Sequence, residues 1–335
     1  MKFNSWYNQN YKKLLIISSI VLALSIIYLI MFTFQTGDII NKDVSLTGGS
    51  TITITTNISS QDLEDALSQN LTDFTIKTIS DNSGNQLELA ITVGEKDSQN
   101  LEDSLELFLG YELTSENSSM ETTSASLSAD FYKQLIVAVI LAFFWMAAVV
   151  FLIFAKGKKV KTQVIILNIL LGFFMGNLFL SINPIISAII FLTFATILIR
   201  IYVKRSVPAF AVMLSAFADI VMTLAVVNLM GMKLSTAGIV AFLMLIGYSV
   251  DTDILLTTRL LQRKTGVNSS LFGAFKTGTT MTLTSIVAII AALIVVYPFG
   301  SVLNQIFTIL LIGLCLDLFN TWVTNASIIK WYVEK

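Results

Sequence analysis

Long apolar runs of one recurring length alternate along the chain with shorter polar segments. They occur at 14–34, 132–155, 163–182, 184–203, 208–229, 235–258, 279–297 and 304–328, each near the ~20 residues that a helix needs to cross the hydrocarbon core of a bilayer. The pattern predicts eight membrane-spanning helices. Lys12 and Lys13 precede the first run, which is longer than a signal-peptide core and has no small-residue cleavage site, so it reads as a retained anchor. Asn183 and Pro184 stand between the third and fourth runs and predict a tight hairpin.

One long polar stretch, Gln35 to Asp130, separates the first run from the rest. Residues 50–56 alternate apolar and polar as a strand does, and 73–79 and 86–93 do so again around a Gly-containing turn at 81–85. Ser59 or Ser60 caps a helix over the following residues. Positions 98–109 repeat at helical spacing, Gly110 stops that helix, and Tyr111–Ser115 reads as a last strand. The order β-α-β-β-α-β is that of a ferredoxin-like split unit. The fold class is thus a membrane protein, an α-helical multi-span bundle carrying one α+β ferredoxin-like domain outside the bilayer.

Composition supports the membrane reading and removes several functions. Of 335 residues 55% are apolar and 13% charged, with a mean hydropathy of +0.77. There is no histidine, and Cys315 is the single cysteine, so the usual general base, zinc ligands and disulfides are missing. No cofactor or metal is expected, and the chain does not read as an enzyme. Between Asp38 and Asp130 lie 17 acidic residues against Lys42, Lys77 and Lys96, a field that repels nucleic acid. Of the 21 basic residues, 16 fall on one side of the eight-span topology; Lys42, Lys77, Lys96, Lys133 and Lys233 fall on the other. The positive-inside rule then puts both termini in the cytoplasm and the polar domain outside.

Four carboxylates interrupt the apolar runs: Asp219, Asp251, Asp253 and Asp317. An ionised Asp at a helix centre costs roughly 2.5 to 3.5 kcal/mol on insertion scales, so each needs a reason. Asp219 lies about 16 Å into its helix, close to the midplane. Asp251 and Asp253 are about 200° apart around a helix and cannot both face one partner. Which of the two is functional stays open at this point. Lys276 opens the next helix and can either pair with one of them until a proton displaces it or simply snorkel to the interface. Asn320, Thr321 and Asn325 follow Asp317, so that helix can use polar groups to grip its neighbours.

These residues carry a resemblance. Gly247-Tyr248-Ser249-Val250-Asp251-Thr252-Asp253 is similar to a signature of the SecF family of protein-export proteins, in its archaeal form. Leu46-Thr47-Gly48-Gly49-Ser50, Val207-Pro208-Ala209-Phe210, Ser215 to Ile220, Lys276 to Thr282 and Asp317 to Trp322 resemble further motifs in family order. The resemblance implies six family helices, so this chain carries an extra two-helix hairpin. The divisions are then 1–35, the N-terminus and first helix; 36–130, the outer domain; 131–155, a helix; 156–204, the inserted hairpin; and 205–335, the motif-bearing helices. The hairpin, 163–203 within that division, holds no carboxylate and is expected to be dispensable for the family function. Whether 131–155 or 184–203 is the second family helix stays open.

The resemblance also implies a multi-pass protein of the cell membrane that acts with SecD at the Sec channel of SecY, SecE and an associated subunit. Exported unfolded proteins would be its clients and membrane lipids its surroundings. It places the pair in the resistance-nodulation-division superfamily and implies proton-driven movement, with Asp219, Asp251, Asp253, Lys276 and Asp317 as relay candidates and Gly48, Gly49, Gly247, Tyr248 and Ser249 as motif residues. The alternative is a small-molecule transporter subunit of the same superfamily. A third reading, an intramembrane enzyme, finds no histidine, no Ser-Lys pair and no paired aspartates at suitable depth.

Overall fold

The computed structural model describes residues 2–68, 70–71, 74–80, 85–262, 266–297 and 302–335. Most of the turn expected at 81–85 lies outside the described residues, as do Arg263 and Lys264. Among the described residues, eight helices are long and apolar enough to span a bilayer, and a small antiparallel sheet lies between the first and second.

The spanning helices are α1 (Lys2–Thr36), α5 (Ala125–Phe154), α6 (Lys158–Phe173, continued by a π-helical turn Phe174–Leu178), α7 (Pro184–Arg205), α8 (Val207–Leu229), α9 (Thr236–Leu261), α10 (Val267–Val296) and α11 (Val302–Asn320). A second π-helical turn, Thr321–Asn325, joins α11 to α12 (Ala326–Glu334). Helix α10 begins twelve residues before its expected apolar run. Leu271, Ala274, Gly278 and Thr282 are buried there at helical spacing, so packing, rather than hydropathy, sets its start. Helices α8 and α9 form the centre, with 61% and 56% of their spanning windows buried against 11% in α1 and α10.

In the polar unit, α2 (Val44–Thr47) leads into β1 (Gly49–Ile54), followed by α3 (Ser60–Leu67), β2 (Phe74–Ser80), β3 (Gln86–Gly94), α4 (Ser98–Leu109) and β4 (Ser118–Thr123). The strand order is β2-β3-β1-β4, all neighbours antiparallel. Ile52, Ile54, Leu89, Ile91 and Val93 on one face of the sheet meet Leu63, Leu67, Leu101 and Leu105 of the two helices in a closed core. That alternation fixes the register, because a slip by one residue would turn every apolar side chain outward. Ser59 is the cap, its Oγ accepting from the Asp62 amide at 3.1 Å.

The last strand is a correction: it runs over 118–123, and 111–117 is a loop. Asn117 folds that loop, its Oδ1 accepting from the Thr114 amide at 2.7 Å and its Nδ2 donating to the Glu112 carbonyl at 3.1 Å. Sequence alternation could not reveal β4, since it is an edge strand with no buried residue and its one large apolar side chain, Met120, is exposed.

The hairpin of α6 and α7 is built into the bundle. Val164, Leu171, Phe174, Met175, Leu198 and Tyr202 are buried in one cluster with Phe151 of α5 and Val212 of α8. The Tyr202 and Phe151 rings lie 4.9 Å apart, and Lys161 donates to the Leu152 carbonyl at 2.6 Å. Removal of the hairpin uncovers apolar and small residues that match it in shape, a cost in stability. Joining Ala155 directly to Arg205 is predicted to lower the thermal unfolding temperature of the detergent-solubilised chain sharply; unchanged unfolding would show that the packing contributes little.

Gly48 and Gly49 adopt φ of 84° and 150°. A Cβ on Gly48 would run into backbone atoms of Ser124 and Ala125, where α5 begins. Gly37 also has positive φ, 83°, but nothing lies within 4 Å of its would-be Cβ. Gly37→Ala is therefore predicted to cost only the backbone strain, ~1 kcal/mol, and Gly48→Val clearly more, read as the fall in unfolding temperature of the full chain. Equal falls would contradict the close approach of the turn to α5.

Candidate functional site

Three central helices each place polar residues four apart on their inward faces. Helix α8 contributes Ser215, Asp219 and Thr223; α9 contributes Ser249, Asp253 and Thr257; α11 and its π-helical turn contribute Asp317, Asn320, Thr321, Thr324 and Asn325. All are buried. Residues at i, i+4 and i+8 share a helix face, so the stripes converge in the middle of the bundle.

Asp219 Oδ2 accepts from Ser249 Oγ at 2.5 Å and its Oδ1 from Asn320 Nδ2 at 2.7 Å. Asp253 Oδ1 accepts from Asn325 Nδ2 at 2.8 Å. Asp317 Oδ1 accepts from Thr321 Oγ1 at 3.3 Å. The network continues outward, as Thr324 donates to Asn320 Oδ1 at 3.2 Å and shares a hydrogen bond with Ser18 of α1 at 2.5 Å. No lysine or arginine among the described residues pairs with the three carboxyl groups. Asp253 Oδ2, Asp317 Oδ2 and Asn325 Oδ1 are buried without a hydrogen-bond partner among the described residues. Such atoms are costly in a low-dielectric interior, and each is an acceptor open to a further hydrogen bond.

The structure brings together Asp219, Asp253, Asp317 and Ser249 and leaves the other candidates apart. Asp251 is exposed on the outer face of α9. Lys276 does not reach a carboxylate: α10 turns Ala274 and Gly278 inward, and Lys276, two residues from each, is exposed on the other side. Arg259 meets the start of α10 instead, donating to Gly273 O at 2.7 Å and Thr277 Oγ1 at 3.0 Å. Gly247 and Tyr248 face outward, with open space beside Gly247 and Tyr248 half exposed. Gly48 and Gly49 lie at the junction described above. Ser215, Thr257 and Thr324 were missed; their spacing of four from an aspartate, another polar residue or each other's stripe was the available signal.

A second assembly ties the bundle to the polar unit. Residues 37–45 form a strap from α1 to β1, held by the tip of the α8–α9 hairpin. Leu234 N donates to Asn41 O at 2.6 Å, Asp43 N to Leu234 O at 2.8 Å, Asn228 Nδ2 to Ile39 O at 2.9 Å, and Thr236 N to Ser45 Oγ at 3.3 Å. Gln305 at the start of α11 clasps the same tip, accepting from Ser235 N at 3.0 Å and donating to Lys233 O at 2.6 Å. Lys42 pairs with Asp38 at 2.8 Å and lies over the ring of Tyr132 of α5, whose hydroxyl donates to Asp38 Oδ1 at 2.7 Å.

With this geometry in place, comparison with known proteins is informative. Residues 174–335 match the model of the C-terminal region of the protein-export membrane proteins SecD and SecF. The C-terminal half of the chain is thus similar to the SecD/SecF family. Proteins named "protein-export membrane protein SecF" are 46% identical over 150 residues in Methanolacinia petrolearia, covering 43% of this chain and 53% of that one, and 47% over 146 residues in Methanocaldococcus jannaschii, covering 42% and 52%. The chain thus spans about half the length of the curated relatives it first matches. A Pyrococcus furiosus SecF is 29% identical over 331 residues, 97% of this chain and 92% of the relative. The crystal structure of a Thermus SecDF, described as a translocon-associated membrane protein, shares the fold with a TM-score of 0.56 at 14% identity, covering all of this chain and 39% of that one. Asp219, Asp253 and Asp317 all fall within the matched region.

Burial alone would push the Asp38 carboxyl up, but hydrogen bonds from Lys42 and Tyr132, with the charge of Lys42, outweigh it and hold the group below its ordinary range. A depressed carboxyl contributes stability that is full above its unfolded pKa, about 4, and is lost as the pH falls through the folded value. The group is only partly buried and solvent screens the pair, so the contribution is under about 1 kcal/mol. Asp38→Asn is predicted to lower the unfolding temperature at neutral pH and to converge with the unsubstituted chain in acid. Curves that stay parallel across that range would contradict the latch.

Proposed function

We propose that this chain is a SecF-like accessory subunit of the Sec protein translocase, acting with SecD to promote export of unfolded proteins across the cell membrane, driven by protons that pass through the buried carboxyl cluster. The observation that carries the proposal is the meeting of Asp219, Asp253 and Asp317 at the centre of the family-matched helices, without a paired cation and with two unpartnered carboxyl oxygens among the described residues. Carboxyl groups so placed in a membrane are a recurring device for proton relay. The names of the relatives supply the transport role.

On this reading both termini are cytoplasmic, supported by the 16 basic residues on that side, and the polar unit, read as ferredoxin-like from its strand order, lies outside. Protonation changes which hydrogen bonds the α8, α9 and α11 stripes make with one another, and the α8–α9 tip passes the change along the strap to β1. The family match begins at residue 174 and takes in α7, so the second family helix is α5 or α7 and the inserted pair is drawn from α5, α6 and α7. Partners are SecD, the SecY and SecE channel with its associated subunit, and membrane lipid.

The test is export of a reporter in cells carrying variants at matched membrane levels, with co-purification of SecD and the channel as the measure of assembly. Asp253→Asn and Asp219→Asn are predicted to abolish export stimulation while SecD binding persists, and exposed Asp251→Asn to retain most of it. Full activity of the Asp219→Asn and Asp253→Asn double variant would sink proton coupling through the cluster. A chain that moves small molecules without binding SecD would instead favour the transporter reading.

A further inference from the structure

The two outer strands of the sheet are finished differently. On one side β2 carries Lys77 and shifts register against β3 between Ile79 and Ser80, both devices that keep an edge from pairing with another chain. On the other side β4 has neither. Its six residues, Ser118–Thr123, include no proline and no lysine, and they follow β1 without a register shift from Ile54↔Ser118 to Gly49↔Thr123. Among the described residues no strand covers the far side of β4.

The ladder shows which backbone groups are left over. Thr55 N donates to Asn117 O at 3.5 Å, so by antiparallel alternation Ser119, Glu121 and Thr123 also direct their peptide groups to β1. Ser118, Met120 and Thr122 direct theirs away from it. Ser118 N donates to Thr114 O at 2.9 Å, which leaves the amides of Met120 and Thr122 and the carbonyls of all three along the outer edge.

Side chains on the same strand alternate between the two faces of the sheet. Met120 stands opposite Ile52 on the helix-bearing face and is exposed, and Glu121 stands opposite Thr51 on the other face. On that second face a cavity of about 400 Å³ adjoins β4, with Thr53, Glu88, Glu116 and Ser119 in its walls. The charge of the unit decides what suits such an edge. Between Asp38 and Asp130 there are 17 acidic residues against Lys42, Lys77 and Lys96, a field that attracts basic segments and repels acidic ones.

We propose that β4 is a docking edge for an extended, basic segment of another polypeptide. The segment adds as a fifth strand, with lysine or arginine side chains toward Glu88, Glu116 and Glu121 and the alternate, apolar side chains over Met120. Backbone pairing supplies affinity for an extended chain, and the alternating side chains supply the preference. The inference rests on the export reading only for the source of the segment, an unfolded stretch of the transported chain.

The test is binding of a labelled synthetic peptide of alternating lysine and valine to the full chain in lipid nanodiscs, read by fluorescence anisotropy. Saturable binding is expected. The same peptide with every amide methylated, which keeps its charge but cannot pair, and the peptide with glutamate in place of lysine are each expected to bind roughly tenfold more weakly or worse. On the protein, the Glu88→Gln and Glu116→Gln double variant is expected to weaken binding, as is Met120→Pro, which removes an outward amide and leaves the ladder to β1 intact. Absence of saturable binding, equal binding of the methylated peptide, or undiminished binding by the Gln pair overturns the assignment. A chain that takes no peptide but self-associates, with the association abolished by Met120→Pro, shows a second copy as the occupant and overturns it too. Neither the edge nor the peptide involves Asp219, Asp253 or Asp317, so failure here is distinct from failure of the export test.

Discussion

Three carboxyl groups buried in an apolar bundle, with no positive charge paired to them among the described residues, are the constraint on which the rest of this structure depends. An ion pair would let them stay charged at a fixed geometry; amides and hydroxyls alone do not. The neighbouring sequence answers with donors at every fourth position: Ser249 and Asn320 for Asp219, Asn325 for Asp253, Thr321 for Asp317. Each donor sits on a different helix or turn from at least one carboxyl of the set, so the spacing of α8, α9 and α11 is set by polar contacts as well as by packing. A bundle held this way has more than one acceptable pattern of hydrogen bonds. On the proposed reading, proton occupancy selects among them.

The position of the π-helical turn supports that view of the centre. Thr321–Asn325 departs from α-helical geometry directly after Asp317 and Asn320, and such turns gather at functional sites because they re-aim the side chains beside them. Here the turn presents Thr324 to α1 and Asn325 to α9. The strap then extends the link beyond the bilayer. Its backbone pairs with the α8–α9 tip on one side and enters β1 through Gly48 and Gly49 on the other, a short path with little slack between the central helices and the sheet.

Much of this was legible in the sequence, for reasons that differ between elements. The spanning helices follow from run length, and β1, β3 and α4 from alternation and helical period, because each has one buried face. Strand β4 was misplaced because an edge strand without a buried face has no pattern to read. The start of α10 was late because Lys276, Thr277 and Gly278 break the apolar run, although Leu271, Ala274 and Gly278 before it pack inward. The aspartates stood out as charges in apolar runs, yet sequence alone could not separate Asp253 from Asp251; helix rotation does. Lys276 looked like a partner from its place at a helix start, and only the inward stripe of Ala274 and Gly278 shows that it points away.

The central claim, that the cluster binds and releases protons, is most directly tested by infrared spectroscopy of the purified chain in lipid, titrated against pH in H2O and D2O. The account predicts a carbonyl stretch from protonated carboxylic acid that shifts in D2O, changes intensity with pH, and diminishes when Asp219, Asp253 or Asp317 is replaced by Asn. A spectrum in which no such band depends on these three residues at any pH at which the protein stays folded would contradict it.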